Sequence, residues 1–370
     1  MIAKIEEFSR LEINLNNCLA NYNYFKNKLS PSTKILVLVK ANAYGYGGVE
    51  LAQMMEKVGV DYLGVANPIE GVELREKGIK SHILVLTPST TSSDIFISHD
   101  LEPSIPSIDM LISFNESLKE KGIKDYPIHI KLDTGMHRLG FMTDEVAELL
   151  DYLPKCQNIR VESIFSHLAA ANEPEQDDFT KNQINMFLEN ASKISKKLGY
   201  KPIYHILNSA GIERFNEYEL DMVRLGAGLY GISCLEDSPL KASASFKTEI
   251  IQIKNLKPCD GTIGYGRNGQ ISPNGTKIAT IPLGYADGIN RKLGCGNFSF
   301  SVNGKRVPTI GNICMDMLML DITDIDAQIG DDVTIFGEDP TAEEQAKALG
   351  TITYEIFSSI PRRIKRVIIT

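Results

Sequence analysis

Between residues 35 and 225 the chain alternates short apolar runs with amphipathic stretches, and no other feature limits its fold so tightly. The runs fall at 35–39, 62–66, 82–86, 101–107 (weaker, broken by Pro103 and Pro106), 128–132, 161–167, 203–207 and 222–225. Helical spacing fills the intervals at 49–57, 69–77, a short piece to Ser98, 108–121, 143–153 and 178–198, after an opening helix at 14–29. Gly78, Gly122 and Gly199 close three of these helices. An apolar run that does not alternate reads as a strand covered on both faces, which is the parallel-sheet pattern. About eight strand-then-helix units over roughly 200 residues predict a (β/α)₈ TIM-type barrel rather than an open doubly wound sheet.

In such a barrel, chemistry sits where the strands end. The predicted ends carry Lys40, Lys131 with Arg138 close behind, His167, Asn208 with Ser209, and Arg224. Lys40 follows Val37-Leu38-Val39 without a break. A lysine there is either a surface residue just past the sheet or a reactive amine whose charge burial disfavours. Several polar residues on one rim strengthen the reactive reading. His167 ends a strand on that rim and is either a site residue or a satisfied core histidine. His129 reads as structural, on a strand face turned away from Lys131's neighbours.

After Tyr230-Gly231 the helical spacing stops, and β-branched runs appear between Gly, Pro, Asn and Asp turns, at 248–253, 277–281, 298–302 and 333–336. Asn303-Gly304 between two runs predicts a tight hairpin. The expected division is a barrel over 1–234, with its first ten or so residues pairing with the β domain, and a mostly β C-terminal domain over 235–370 with one late helix at 341–349. The net charge of −8 argues against a nucleic-acid partner. No apolar run approaches the roughly 18 residues of a membrane helix, and the N-terminus lacks an apolar signal core. The six cysteines are scattered without a C-x-x-C pair. No metal site, no membrane and a reduced, cytoplasmic location are therefore expected.

Two G-x-G-x-x-G matches, at 264–269 and 226–231, lack a following helix and so do not form a dinucleotide site. The amides around Gly226 can still approach a single phosphate. On local grounds Tyr265 is a turn aromatic and Cys314 a small buried hydrophobe.

Larger blocks carry a resemblance. Val39-Lys40-Ala41-Asn42-Ala43-Tyr44-Gly45 is similar to the cofactor-lysine signature of alanine racemases. The blocks 131–140, Ser166-His167, Asn208-Ser209, 223–226, Gly264-Tyr265-Gly266, 284–288, Cys314-Met315-Asp316 and Tyr354-Glu355 resemble further signatures of that family in the same order. Together they span nearly the whole chain.

The resemblance implies a pyridoxal 5'-phosphate (PLP) enzyme of the barrel type, acting on alanine as a head-to-tail homodimer. Lys40 would hold PLP through its amine. Tyr44, Ser209, Tyr354 and the amide of Gly226, with Asn208 and Ala227 beside them, would hold the phosphate. Arg224 would face the pyridine nitrogen with His167 behind it. Since an arginine only donates, it would keep that nitrogen unprotonated and weaken the ring as an electron sink. Racemisation needs acid/base groups on two faces of Cα, and the resemblance assigns Lys40 to one and Tyr265 from a second subunit to the other. Arg138 would bind the substrate carboxylate, oriented by Lys131, which is carbamylated in many relatives. Tyr285, Met315 and Asp316 would line the entrance.

Tyr46 stands where the family usually has His, Asn172 where Asp is frequent, and Asn312 where Arg often occurs. These positions bear on entrance electrostatics and substrate preference. Three competing readings remain: a racemase for serine or larger amino acids, a barrel-type PLP decarboxylase, and a non-enzymatic PLP-binding protein. A glycine-run phosphate cradle, expected of the decarboxylase, is not seen. The extra β domain carrying Tyr265 argues against the last.

Overall fold

The computed structural model describes residues 8–369. They form two compact units, one built from residues 18–43 and 48–241, the other from the chain up to 17 together with 44–47 and 242 onward.

The first unit is a (β/α)₈ barrel. Its strands are Lys34–Leu38, Tyr62–Val65, His82–Val85, Glu102–Ile105, Tyr126–Lys131, Ile159–Phe165, Ile203–His205 and Met222–Leu225. The first seven pair in parallel, each with the next in sequence, and the eighth pairs with the first, Ile35 opposite Val223 and Leu36 opposite Arg224. The remaining seam, between Ile203–His205 and Met222–Leu225, is bridged by the Arg224 amide donating to the Leu207 carbonyl at 3.0 Å and the Asp221 amide to Tyr204 at 3.2 Å. The helices predicted from apolar spacing lie between the strands; the longest, Asp177–Leu198, ends on Gly199 in the left-handed region at φ 77°. Asn67 and Glu70 form a reciprocal capping box at the start of Pro68–Glu76.

One expectation is corrected here. His129 shares the inward face with Lys131, because residues two apart on a strand point the same way. Ile128 and Ile130 take the alternate face, and all three are fully buried. The reading of His129 as structural stands on its contacts, described below.

The second unit is built on a nine-stranded sheet. Arg10–Asn14 lies within it, antiparallel to Ala244–Glu249 and parallel to Lys365–Ile369. Of the opening residues expected to pair here, 1–7 lie outside the described residues. The hairpin Ser299–Val302/Lys305–Ile310 turns on Asn303 and Gly304, with φ of 49° and 72° as a two-residue turn of this type requires. The run 248–253 is two strands, not one: the Ile250 amide donates to Asp331 while the Ile251 amide donates to Thr280, so the chain changes neighbour between them. A helix at Thr353–Ser358, which carries Tyr354, was not anticipated; it is short and lacks a side-chain cap.

Candidate active site

At the C-terminal rim of the barrel the chain leaves Lys34–Leu38 and enters a turn with an unusual backbone. Ala41, Asn42, Ala43 and Tyr44 all have φ between 52° and 55°. Left-handed backbone costs a residue with a Cβ roughly 1–2 kcal/mol, so four in succession persist only where surroundings hold them. Two side chains do so in the barrel unit. Glu70 Oε1 accepts the Ala41 amide at 2.6 Å while its other oxygen accepts the Ala66 amide at 2.7 Å. The side-chain Oδ1 of Asn42 accepts the Gly48 amide at 2.9 Å. Lys40 thus stands at the start of a segment fixed by a capping carboxylate, at the point where strain is commonly stored for function.

Four cations share this rim. Burial, then Arg138 and Arg224, lower the Lys40 pKa. Burial, Arg138 and Arg224 push Lys131 down to about 8. Lys131 is 6% exposed and its Nζ lies 5.7 Å above the Phe165 ring. Arg138 sits on the loop after Lys131, exposed. That loop is shaped by Asp133, whose Oδ1 accepts the amides of Gly135, Met136 and His137 at 2.9, 3.1 and 3.1 Å. A small cleft opens there between Lys131, Met136, Arg138 and His167. The anionic groups nearby, Asp133 and Glu70, are both committed to backbone amides. A basic pocket short of counter-charge suits a ligand carrying several negative groups.

Arg224 is 2% exposed, and both of its Nη atoms are engaged. Nη1 donates to His205 Nδ1 at 2.8 Å; Nη2 donates to the Ser166 carbonyl at 2.6 Å, the Ile206 carbonyl at 3.0 Å and His167 Nδ1 at 3.2 Å. Burial, then Arg138, push its pKa down to about 9, so it stays protonated at neutral pH. Burial and the charge of Arg224 hold His167 well below the ordinary histidine range, hence neutral. Phe165 lies under the Arg224 guanidinium at 5.5 Å and stacks on His205 at 4.9 Å.

Next along the rim, Asn208 caps the helix Ser209–Arg214 by accepting the Gly211 amide at 2.9 Å. Ser209 Oγ accepts the amides of Gly226 and Gly228 at 3.0 and 3.1 Å. A hydroxyl and two amides, with Ala227 between them, are thus gathered at one place on the rim, and groups of this kind are donors that a phosphate monoester takes. Gly228 has a separate reason to be glycine: a Cβ there would lie 2.2 Å from the Phe25 ring. A reactive amine, a donor-only partner for a ring nitrogen and a phosphate-sized donor cluster fit PLP.

The β unit holds the other predicted residues. Tyr44 and Tyr354 lie with ring centroids 5.9 Å apart. Burial raises the Tyr44 pKa, so its hydroxyl stays protonated. Tyr265 sits in a turn between Gly264 and Gly266, both at positive φ, and is 71% exposed. Its carbonyl accepts from Asn312 Nδ2 at 2.7 Å. The amides of Tyr285 and Ala286 donate to the carbonyls of Cys314 and Met315, each at 3.0 Å. Three sequence blocks, around residues 265, 285 and 315, are thereby joined. Met315 is 54% and Tyr285 46% exposed. Asp316 pairs with Arg363 at 2.9 Å, which also reaches Asp287 at 2.8 Å. Tyr46 is buried in this unit, edge-on to Phe357 at 5.3 Å. Asn172, in the barrel unit, is exposed beside Glu173.

Sequence reasoning missed His205, Glu70 and Phe165. His205 has a signal in retrospect, since a buried arginine requires acceptors and few side chains nearby supply one.

A closed parallel barrel with a lysine, an arginine and a hydroxyl–amide cluster on its C-terminal rim defines a barrel enzyme whose rim can take a phosphorylated cofactor. Models of the alanine racemase N-terminal domain and C-terminal domain match residues 13–234 and 243–368. The alanine racemase 2 of Caldanaerobacter subterraneus subsp. tengcongensis is 37% identical, covering 98% of this chain and 95% of that one. The alanine racemase of Clostridium difficile 630 superposes with a TM-score of 0.92 at 37% identity over 99% of this chain and 97% of the other. That of Bartonella henselae, solved with covalently bound pyridoxal phosphate, gives 0.87 at 26% identity over 98% and 100%. The chain belongs to the alanine racemase family and is an amino-acid racemase.

Proposed function

We propose that the protein interconverts L- and D-alanine with PLP held by Lys40, using Lys40 and the Tyr265 of a second copy as the two proton-transfer groups, and supplies D-alanine for peptidoglycan in the cytoplasm. The observation that carries this reading is the cationic rim around Lys40, where burial and two guanidinium groups lower the lysine pKa.

Bound PLP supplies an electron sink that acidifies the Cα–H of the amino acid. The protein's share is to hold, orient and move protons. Lowering the lysine pKa raises the share of neutral amine, the only form that accepts a proton from Cα. The Tyr265 phenol oxygen would serve the opposite face, taking a proton as the phenolate in one direction and giving it as the phenol in the other. Arg138 meets the substrate carboxylate. Lys131, at about 8, has a neutral fraction that can take up carbon dioxide, and the resulting carbamate would place an anion among the rim cations beside Arg138. Arg224 can only donate toward the pyridine nitrogen, which restrains the sink and disfavours side reactions such as transamination. Ser209 with the amides of Gly226 and Ala227, the Asn208 cap, Tyr44 and Tyr354 would anchor the phosphate. Tyr285, Met315 and Asp316, from the second copy, would narrow the entrance, so a working site requires a homodimer. Among the described residues no helix is long and apolar enough to cross a membrane.

The experiment is a racemisation assay on a panel of L-amino acids with saturating PLP. Alanine should be the best substrate by kcat/KM. A preference for serine, or release of carbon dioxide and an amine, would replace this reading with one of its competitors.

A further inference from the structure

The barrel interior carries a chain of hydrogen bonds that none of the assigned roles uses. His82 Nδ1 meets Glu102 Oε1 at 2.5 Å, and Glu102 Oε2 meets His129 Nε2 at 2.7 Å. His129 Nδ1 meets Ser163 Oγ at 2.6 Å, and Ser163 Oγ meets His205 Nε2 at 2.9 Å. His205 Nδ1 then meets Arg224 Nη1 at 2.8 Å. His129, Ser163 and His205 are wholly buried, while the His82 side chain is 65% exposed. His82 and Glu102 open their strands, His129 and Ser163 lie within theirs, and His205 closes its strand. The chain therefore runs from the N-terminal mouth of the barrel to the rim that bears Arg224.

One arrangement of its protons gives every polar hydrogen of the chain an acceptor. A guanidinium only donates, so His205 Nδ1 carries a lone pair and the ring proton sits on Nε2. That N–H donates to Ser163, whose own hydroxyl is then free to donate to His129 Nδ1. His129 must hold its proton on Nε2, where Glu102 accepts it. A carboxylate at the far end terminates the chain as an acceptor-only group, matching the donor-only group at the rim. Moving the proton of His205 to Nδ1 would set N–H against N–H at Arg224, and protonating His129 would leave the Ser163 hydroxyl proton without an acceptor among these groups.

We propose that Glu102, His129, Ser163 and His205 are positioning residues for Arg224, ordering protons through the barrel so that a lone pair always faces the guanidinium. Glu102 is then the anion that Arg224 lacks beside it. The consequence for racemisation rests on the reading that Arg224 faces the cofactor ring; the proton order itself does not.

The test uses the full-length protein with isotope-labelled histidine. In the cofactor-free protein at neutral pH, ring-nitrogen NMR should show both His129 and His205 neutral with the proton on Nε2; either ring protonated, or carrying its proton on Nδ1, overturns the proposal. Ser163→Ala should shift the Nδ1 signal of His129 and the Nε2 signal of His205. In the PLP-loaded enzyme it should lower kcat roughly tenfold, the size of effect typical for a partner one step behind an active-site group, with KM for alanine little changed. Ser163→Thr, which keeps the hydroxyl, should recover most of that loss. Unaltered kcat in a Ser163→Ala protein that still takes up PLP overturns the positioning role. Glu102→Leu reads the chain from its other end: a retained Nε2 preference at His129 together with unchanged kcat contradicts it equally. A wild type that neither takes up PLP nor racemises alanine would sink the proposed function instead, and the histidine spectra would still judge the chain.

Discussion

The buried guanidinium of Arg224 meets the Nδ1 lone pair of His205 at 2.8 Å, where a buried arginine would ordinarily meet a carboxylate. Its other partners are the backbone carbonyls of His205, Ser166 and Ile206 and a second imidazole, His167. The charge is solvated by dipoles instead of being neutralised, which leaves its field available at the rim and helps to depress the pKa of Lys40.

Arg224→Leu should therefore destabilise the protein as well as inactivate it. The carbonyls of Ser166 and Ile206 and two imidazole nitrogens would lose their donor inside the barrel. Breaking such a buried charged network costs about 3 kcal/mol or more. Denaturant unfolding of the cofactor-free variant measures it, and a loss below about 1 kcal/mol would show that water replaces the guanidinium freely.

Lys131 gives a stability change with a definite sign. Its folded pKa of about 8 lies below the ordinary value of 10.5, so the folded state resists protonation more than the unfolded state does. The penalty is complete below about pH 8, and stability rises as pH climbs from there to 10.5. Lys131→Met should thus be more stable than wild type at pH 7 by up to about 3 kcal/mol in carbon dioxide-free buffer. The gain should shrink to nothing above the unfolded pKa. A gain that is constant with pH would assign the effect to packing.

Glu70 should matter far beyond its helix cap. Glu70→Ala removes the acceptor of both the Ala41 and Ala66 amides. A cost of about 1–2 kcal/mol follows from the cap and the freed amide together. Limited proteolysis should then cut within 40–48 faster than in wild type. Unchanged protection there would mean that the left-handed turn is held by other contacts.

Asp133 shapes the loop that carries Arg138. Asp133→Ala releases three amides at once, so Arg138 should lose its fixed position and KM for alanine should rise about tenfold or more, with kcat less affected. Steady-state kinetics separates the two. A fall in kcat alone would place Asp133 in the chemistry rather than in binding.

The eight barrel strands lie within two residues of the apolar runs that predict them, because a strand buried on both faces has an unmistakable composition. The rim residues were legible for the same reason: once strand ends are known, Lys40, Lys131, His167, Ser209 and Arg224 are known to face one way. The polar interior was not. His129 differs from a surface histidine only through Glu102 and Ser163, which come from neighbouring strands 27 and 34 residues away. The left-handed turn after Lys40 was also hidden, since Ala41 and Ala43 signal an ordinary helix. Tyr265 shows nothing locally beyond two flanking glycines, and its significance came from resemblance alone.

The central claim is that one racemisation site takes Lys40 from one subunit and Tyr265 from another. Subunit mixing tests it most directly. Lys40→Ala and Tyr265→Phe, each purified, folded and dimeric, should each be inactive in alanine racemisation. Unfolded and refolded together, they form hybrid dimers in which one of two sites regains both groups, and the mixture should recover about a quarter of wild-type activity. A mixture as inactive as its parents, or full activity in either parent, would contradict the account.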